Sequence, residues 1–221
     1  MIVKRWSLKT FCLLLLLSGC GGGGGSGEDE GFSSDGIRIV HGSIEAAPVD
    51  LTLDNDGVVQ SARYAEVRGY RALGAGSHSI NLVRSRIPSS PLFAGTLTTT
   101  GSQKFSLLLF GDRGQFGLKG VLIEDLPPVD IGDSAAIRLI HAAVGAGGVR
   151  LEFGGENLEA RFGKASEYQV IPAGELNIRA LRASDGQFIS STRATTEPGR
   201  AYSVLVAGEV DYANHIRIFA D

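Results

Sequence analysis

The chain has 221 residues, 43% of them hydrophobic and 20% charged, with 31 glycines, 7 prolines and a formal net charge of −3. That apolar content excludes a disordered charged tail, the near-neutral balance gives no electrostatic basis for binding nucleic acid, and two cysteines exclude a disulfide scaffold. The length suits one large domain or two small ones.

In chain order, Lys4, Arg5 and Lys9 precede a short apolar run from Phe11 to Leu17. At roughly 1.5 Å per residue this run is too short for a bilayer core about 30 Å thick, and it has the shape of a secretory signal. It ends in Leu17-Ser18-Gly19-Cys20, which resembles the bacterial lipoprotein signal, where small residues precede a cysteine that is lipidated and becomes the mature N-terminus. Residues 1–19 are therefore read as signal peptide and Cys20 as the lipidation site. Their removal takes the formal charge from −3 to −6 and discards Trp6 and Cys12. No free thiol then remains for nucleophilic catalysis or a thiolate metal site. Two or more acyl chains suffice for stable anchoring. The expected location is the cell envelope. Gly21 after the cysteine is similar to the pattern sorted to the outer membrane in Gram-negative cells.

Residues 20–36 read as the lipidated cysteine and a tether. Gly21 to Gly25 are followed by Glu28-Asp29-Glu30, and nothing in this stretch can bury apolar area. Its r.m.s. reach is on the order of 20–25 Å. The acidic triplet reads either as a cation site or as a solvated spacer.

The rest of the chain repeats itself. Ile37-Arg38-Ile39-Val40-His41-Gly42 returns as Ile137-Arg138-Leu139-Ile140-His141-Ala142, 100 residues later. Phe105-Ser106-Leu107-Leu108-Leu109-Phe110-Gly111 returns as Tyr202-Ser203-Val204-Leu205-Val206-Ala207-Gly208 at 97, and Glu124-Asp125 aligns with Ala220-Asp221 at 96. The shrinking offset places small deletions between matched blocks, in loops. The blocks alternate as strands do. Ile37, Ile39 and His41 share one face and Arg38 and Val40 the other. His78, Ile80 and Leu82 share an inward face, and Phe105 to Phe110 is apolar throughout, as a strand covered on both sides would be. Turn chemistry at Asn55-Asp56-Gly57, Ala75-Gly76 and Glu197-Pro198-Gly199 separates the blocks. Residues 61–70 and 157–168 are the only places where a helical turn fits.

This predicts an all-β chain of two tandem immunoglobulin-like or transthyretin-like β-sandwiches, with about seven strands each. The boundaries are repeat 1 at 37–126, a Pro-containing linker at 127–135 and repeat 2 at 136–221. The two prolines of Leu126-Pro127-Pro128-Val129-Asp130 stiffen the junction, so a defined angle between the sandwiches is expected.

The pattern Ile-Arg-Ile-Val-His-Gly, then Ala47-Pro48-Val49-Asp50-Leu51, Ala75-Gly76 and an apolar strand ending in glycine resembles the bacterial domain of unknown function 4397, in two copies over residues 37–221. The resemblance implies a secreted or lipid-anchored, β-rich and often duplicated protein, and implies no activity. Repeat 2 has Gly148-Val149-Arg150 where repeat 1 has Pro48-Val49-Asp50, so a role for Asp50 is not shared.

Candidate chemistry centres on paired residues. His41 and His141 are twinned, and read either as one site per repeat or as inward histidines held by neighbouring backbone. Arg38 and Arg138 are twinned on the opposite face. Tyr64 and Tyr70 parallel Phe162 and Tyr168, and read either as lining a glycan- or peptide-binding surface or as closing the open end of each sandwich. Asp54-Asn55-Asp56-Gly57 fails the calcium-loop pattern, which needs further acids at the places of Thr52 and Arg63, and reads as a hairpin turn. No nucleophile elbow, zinc helix or phosphate loop is present, and no metal or cofactor is expected. The function expected is a non-catalytic binding or structural module of the envelope, with the membrane and an envelope protein or glycan as partners. The alternatives are a hydrolase using His41 or His141 with a loop carboxylate, and a self-associating adhesion or spacer protein.

Overall fold

The computed structural model describes residues 35–210 and 213–221; the signal, Cys20 and the tether lie outside them. Seventeen strands make up the fold, and there is no helix among the described residues. Residues 61–70 and 157–168, where a helical turn fits the sequence, form strand ends and loops instead.

Eight strands build the first sandwich: β1 (Gly36–His41), β2 (Val49–Leu53), β3 (Asp56–Ala62), β4 (Val67–Arg71), β5 (Gly76–Arg84), β6 (Ile87–Thr99), β7 (Lys104–Phe110) and β8 (Lys119–Asp125). Nine build the second: β9 (Ser134–Val144), β10 (Gly148–Phe153), β11 (Glu156–Arg161), β12 (Lys164–Ala165), β13 (Gln169–Pro172), β14 (Gly174–Arg182), β15 (Phe188–Thr196), β16 (Ala201–Glu209) and β17 (Ala213–Ala220). Both exceed the seven expected. The surplus comes from short edge segments such as the two-residue β12, which carry too little pattern to register in sequence.

The sheet orders correspond. In the first sandwich β4-β1-β7-β8 faces β3-β2-β5-β6, and in the second β12-β9-β16-β17, with β13 also on β9, faces β11-β10-β14-β15. All pairings are antiparallel except β1 with β7 and β9 with β16. Asp54 and Asn55 turn the β2–β3 hairpin with φ of 51° and 72°, and Gly154 and Gly155 turn β10–β11 with φ of 57° and 88°. Two successive positive φ angles make the twist of the turn match that of the strands, which is why Asp, Asn and Gly occupy these places.

Each sandwich encloses its own core. Ile37, Ile39, Leu51, Leu82, Leu107 and Leu109 are central to the first, and Ile137, Leu139, Leu151, Ile178, Val204 and Val206 to the second. A third core lies between the sandwiches, where the outer face of β1–β7 meets that of β9–β16. It contains Val40, Leu108, Phe110, Ile140, Ala142, Leu205 and Ala207. This explains the unbroken apolar run in β7: odd residues fill the first sandwich and even ones the seam. A Cβ added at Gly42 would collide with that of Ala142, so the missing side chain is what lets the ends of β1 and β9 approach. The connecting segment runs from Leu126 to Asp133, with Leu126 and Val129 exposed.

Candidate functional site

A polar cluster of two arginines, two aspartates, two serines and two tyrosines is buried in the seam. Arg38 donates through Nη2 to Asp221 Oδ1, through Nη1 to the Ala220 carbonyl at 3.0 Å and through Nε to Ser106 Oγ at 2.8 Å. Arg138 donates through Nη2 to Asp125 Oδ1 and through Nε to Ser203 Oγ at 2.8 Å. Each arginine thus reaches the terminal aspartate of the other sandwich. Each aspartate is held from its own side by a tyrosine: Tyr70 donates to Asp125 at 2.8 Å and Tyr168 to Asp221 at 2.6 Å. The serine hydroxyls donate on to the same carboxylates, Ser106 to Asp125 and Ser203 to Asp221, at 2.8 Å. The guanidinium carbons lie over the tyrosine rings, at 4.6 Å for Arg38 and 4.7 Å for Arg138.

Two arginines and two aspartates make the cluster neutral, and their side chains are at most 2% exposed. Burial alone would lower both arginines; the charges of Asp221 and Asp125 outweigh it and hold them above their usual value. Burial pushes the Tyr70 and Tyr168 hydroxyls upward, so both stay protonated donors. Burial opposes ionisation of Asp221, but Arg38 and Arg138 hold it below the usual carboxylate range. Breaking such a pair leaves an uncompensated buried charge, so the arrangement fixes geometry and leaves no group free to exchange a proton with a substrate.

The sequence singles out Arg38, Arg138, Tyr70 and Tyr168 but not their purpose. The two tyrosines, expected to line a binding surface or close a sandwich end, belong to the seam. The partners Asp125, Asp221, Ser106 and Ser203 were missed. They occupy aligned places in the repeat, which is the signal that marks them.

His41, the last residue of β1, and His141, within β9, are fully buried. His141 Nδ1 accepts from the Ala143 amide at 3.1 Å, while Nε2 makes no hydrogen bond. Neither ring nitrogen of His41 makes one, although the Ala47 backbone lies near enough to favour the charged form. The Ala143 amide belongs to the same strand as His141, and loop backbone at Gly147 lies near His141 as that at Ala47 lies near His41. Burial lowers both, His141 to about 4, so both rings are neutral in the fold. His141 packs edge-on against Phe162, whose ring also meets Phe110 and Phe116 of the first sandwich.

His78 shares the face of β5 that carries the buried Ile80 and Leu82, with its side chain 17% exposed. It sits near the open end of β5, with Nδ1 2.8 Å from Asp54 Oδ2 and Nε2 2.8 Å from the Gly74 carbonyl. Both partners accept, so the ring satisfies both when doubly protonated, and the hydrogen bond to Asp54 raises it. His215 packs against Tyr64 across the seam, with ring centroids 6.0 Å apart. Asp50 Oδ1 accepts from the Ser61 amide and the Ser85 hydroxyl, bracing β2 against its neighbours. Among the described residues no three His, Cys, Asp or Glu side chains converge on a metal position.

The concave surface nearest the aromatic cluster is an open groove of about 650 Å³ at the far end of the second sandwich. It is lined by Gly147, Gly148, Glu159, Ala160, Arg161, Phe162 and Ala183.

The family model described as a domain of unknown function, DUF4397, matches residues 36–152, just over half of the chain. No curated protein matches the sequence. Among solved structures, a carbohydrate-binding module of family CBM26 from Eubacterium rectale Amy13K, in complex with maltoheptaose, is 13% identical with a TM-score of 0.29. The match covers 84% of this chain and 97% of that one. A protein from Bacteroides eggerthii provisionally assigned to cell adhesion is 12% identical with a TM-score of 0.23, over 83% and 94% of the two chains.

Proposed function

The chain belongs to the DUF4397 family, and from that premise we propose that it is a non-catalytic binding or structural module of the bacterial envelope, held to a membrane by lipid on Cys20. The observation that carries this reading is where the reactive side chains are spent. The twinned arginines, tyrosines and aspartates saturate one another inside the seam, and the twinned histidines are enclosed and neutral. What remains exposed is a stiff two-sandwich body with loops and outer sheet faces, the places where such folds present ligands. The signal, the small residues before Cys20 and the glycine-rich tether support an anchored, extracytoplasmic location, in the outer membrane if the source is Gram-negative.

Crosslinking in intact cells from exposed positions of both sandwiches, followed by identification of captured molecules, tests the binding reading. Capture of no envelope protein or glycan leaves only a passive spacer. Labelling with an alkyne fatty acid, lost in Cys20→Ser, tests the anchor. The hydrolase alternative would need His41 or His141 to reach solvent; a His41→Gln, His141→Gln double variant that lost an activity with unchanged thermal stability would favour it. Sedimentation separates the self-associating alternative.

A further inference from the structure

The exposed charges are unevenly shared between the two ends of the sandwiches, with acids in excess at one and cations at the other. β1 and β9 run the same way: Arg38 and Arg138 share one pair of aspartates, and four residues on, Gly42 lies against Ala142. Both sandwiches therefore start at one end and point their loops after β1, β7 and β9 toward the other. The starting end, where the tether enters, exposes Asp54, Asp56, Glu124, Asp133, Glu156 and Glu175. The far end exposes Arg63, Arg86, Arg113, Lys119, Arg161 and Lys164 against the acids Glu45, Glu159, Asp185 and Glu209, and among the described residues none of the six cations makes an ion pair.

Four of those cations gather where the sandwiches meet. Arg161 and Lys164 flank Phe162-Gly163, and Arg113 and Lys119 flank the loop whose Phe116 packs on Phe162 at 5.3 Å between ring centroids. Beside them lies the groove of about 650 Å³, with a backbone floor at Gly147-Gly148, the half-buried Phe162 ring, Arg161 and Glu159 in its wall, Glu159 being paired with Arg150, and the other three cations outside its lining. Unpaired cations around a concave, partly aromatic trough concentrate an anionic ligand, and the ring offers a flat apolar surface to a sugar face. A bilayer would require a projecting surface, and this one is hollow.

We propose that the far-end groove at Phe162, with Arg113, Lys119, Arg161 and Lys164 around it, binds an acidic polysaccharide, a glycan chain carrying carboxylates. This rests on the binding-module reading and names its ligand class.

The test uses the full chain in detergent micelles with polygalacturonate as probe, dextran as neutral control and phosphatidylglycerol vesicles as the lipid arm. Wild type should bind polygalacturonate, more weakly as salt rises, and should leave dextran and vesicles unbound. Reversing all four charges (R113E, K119E, R161E, K164E) should raise Kd at least tenfold. The milder pair K119Q and R161Q should raise it severalfold, and Arg193→Glu, on the outer face of β15, should change it less than twofold. Far-UV circular dichroism checks that each variant is folded. Equal binding of dextran, binding of vesicles alone, no binding of polygalacturonate, or an unchanged Kd in the four-charge variant would each overturn the proposal. Capture of another envelope partner in cells would leave the binding-module reading standing after such a failure.

Discussion

Arg138→Met is the sharpest test of the seam. Methionine roughly matches the aliphatic part of the side chain and removes only the guanidinium. Asp125 then loses its closest cation and keeps the Tyr70 and Ser106 hydroxyls, with Arg38 Nη2 still 3.7 Å away. The cluster goes from neutral to one net negative charge in a fully enclosed place. Removing one partner of a buried pair costs about 3–5 kcal/mol, a fall of roughly two to three and a half decades in the folded-to-unfolded ratio. With a urea slope of about 2 kcal/mol/M, the midpoint should drop by about 2 M. Urea titration by circular dichroism reads the loss, and amide exchange reports where it acts. β7 and β16 should lose protection together, because the seam joins their outer faces. The double variant Asp125→Leu, Arg138→Met removes both charges and should recover at least half of the loss. A cost below about 1 kcal/mol, or faster exchange confined to the second sandwich, would refute a shared core closed by crossed ion pairs.

Gly42→Ala should cost about 1–3 kcal/mol by forcing β1 from β9, and adding Ala142→Gly should restore most of it in thermal unfolding. The neutral, buried His141 titrates at about 4 in the fold and near 6.5 when unfolded, so the unfolded chain binds more protons between those values. Stability should therefore be full above about pH 6.5 and fall by about 3 kcal/mol on acidification to pH 4, and His141→Phe should flatten that slope. His78 has the opposite sign: its folded value is raised by Asp54, so its clasp on the β2–β3 turn is complete below about pH 6.5 and is lost as pH rises through the folded value. Its imidazole signals in NMR should titrate above those of a free histidine, and Asp54→Asn should bring them down.

Much of the fold is local and so can be read from the chain. Alternation in Ile37-Arg38-Ile39, the turn at Asp54-Asn55 and the positive-φ pair Gly154-Gly155 each follow from neighbours in sequence. The repeat even aligned Asp125 with Asp221 and Ser106 with Ser203. The unbroken apolar run of β7 announced two covers, and sequence names one of them, the sandwich interior. The second cover, the seam, depends on how two separately folded surfaces meet. Arg38 finds its aspartate 183 residues away in the other sandwich, a pairing that no local pattern encodes. A twinned arginine reads alike whether it faces water, a ligand or its own duplicate. Only the tertiary structure, by burying it against a carboxylate of opposite charge, decides that it holds the molecule together.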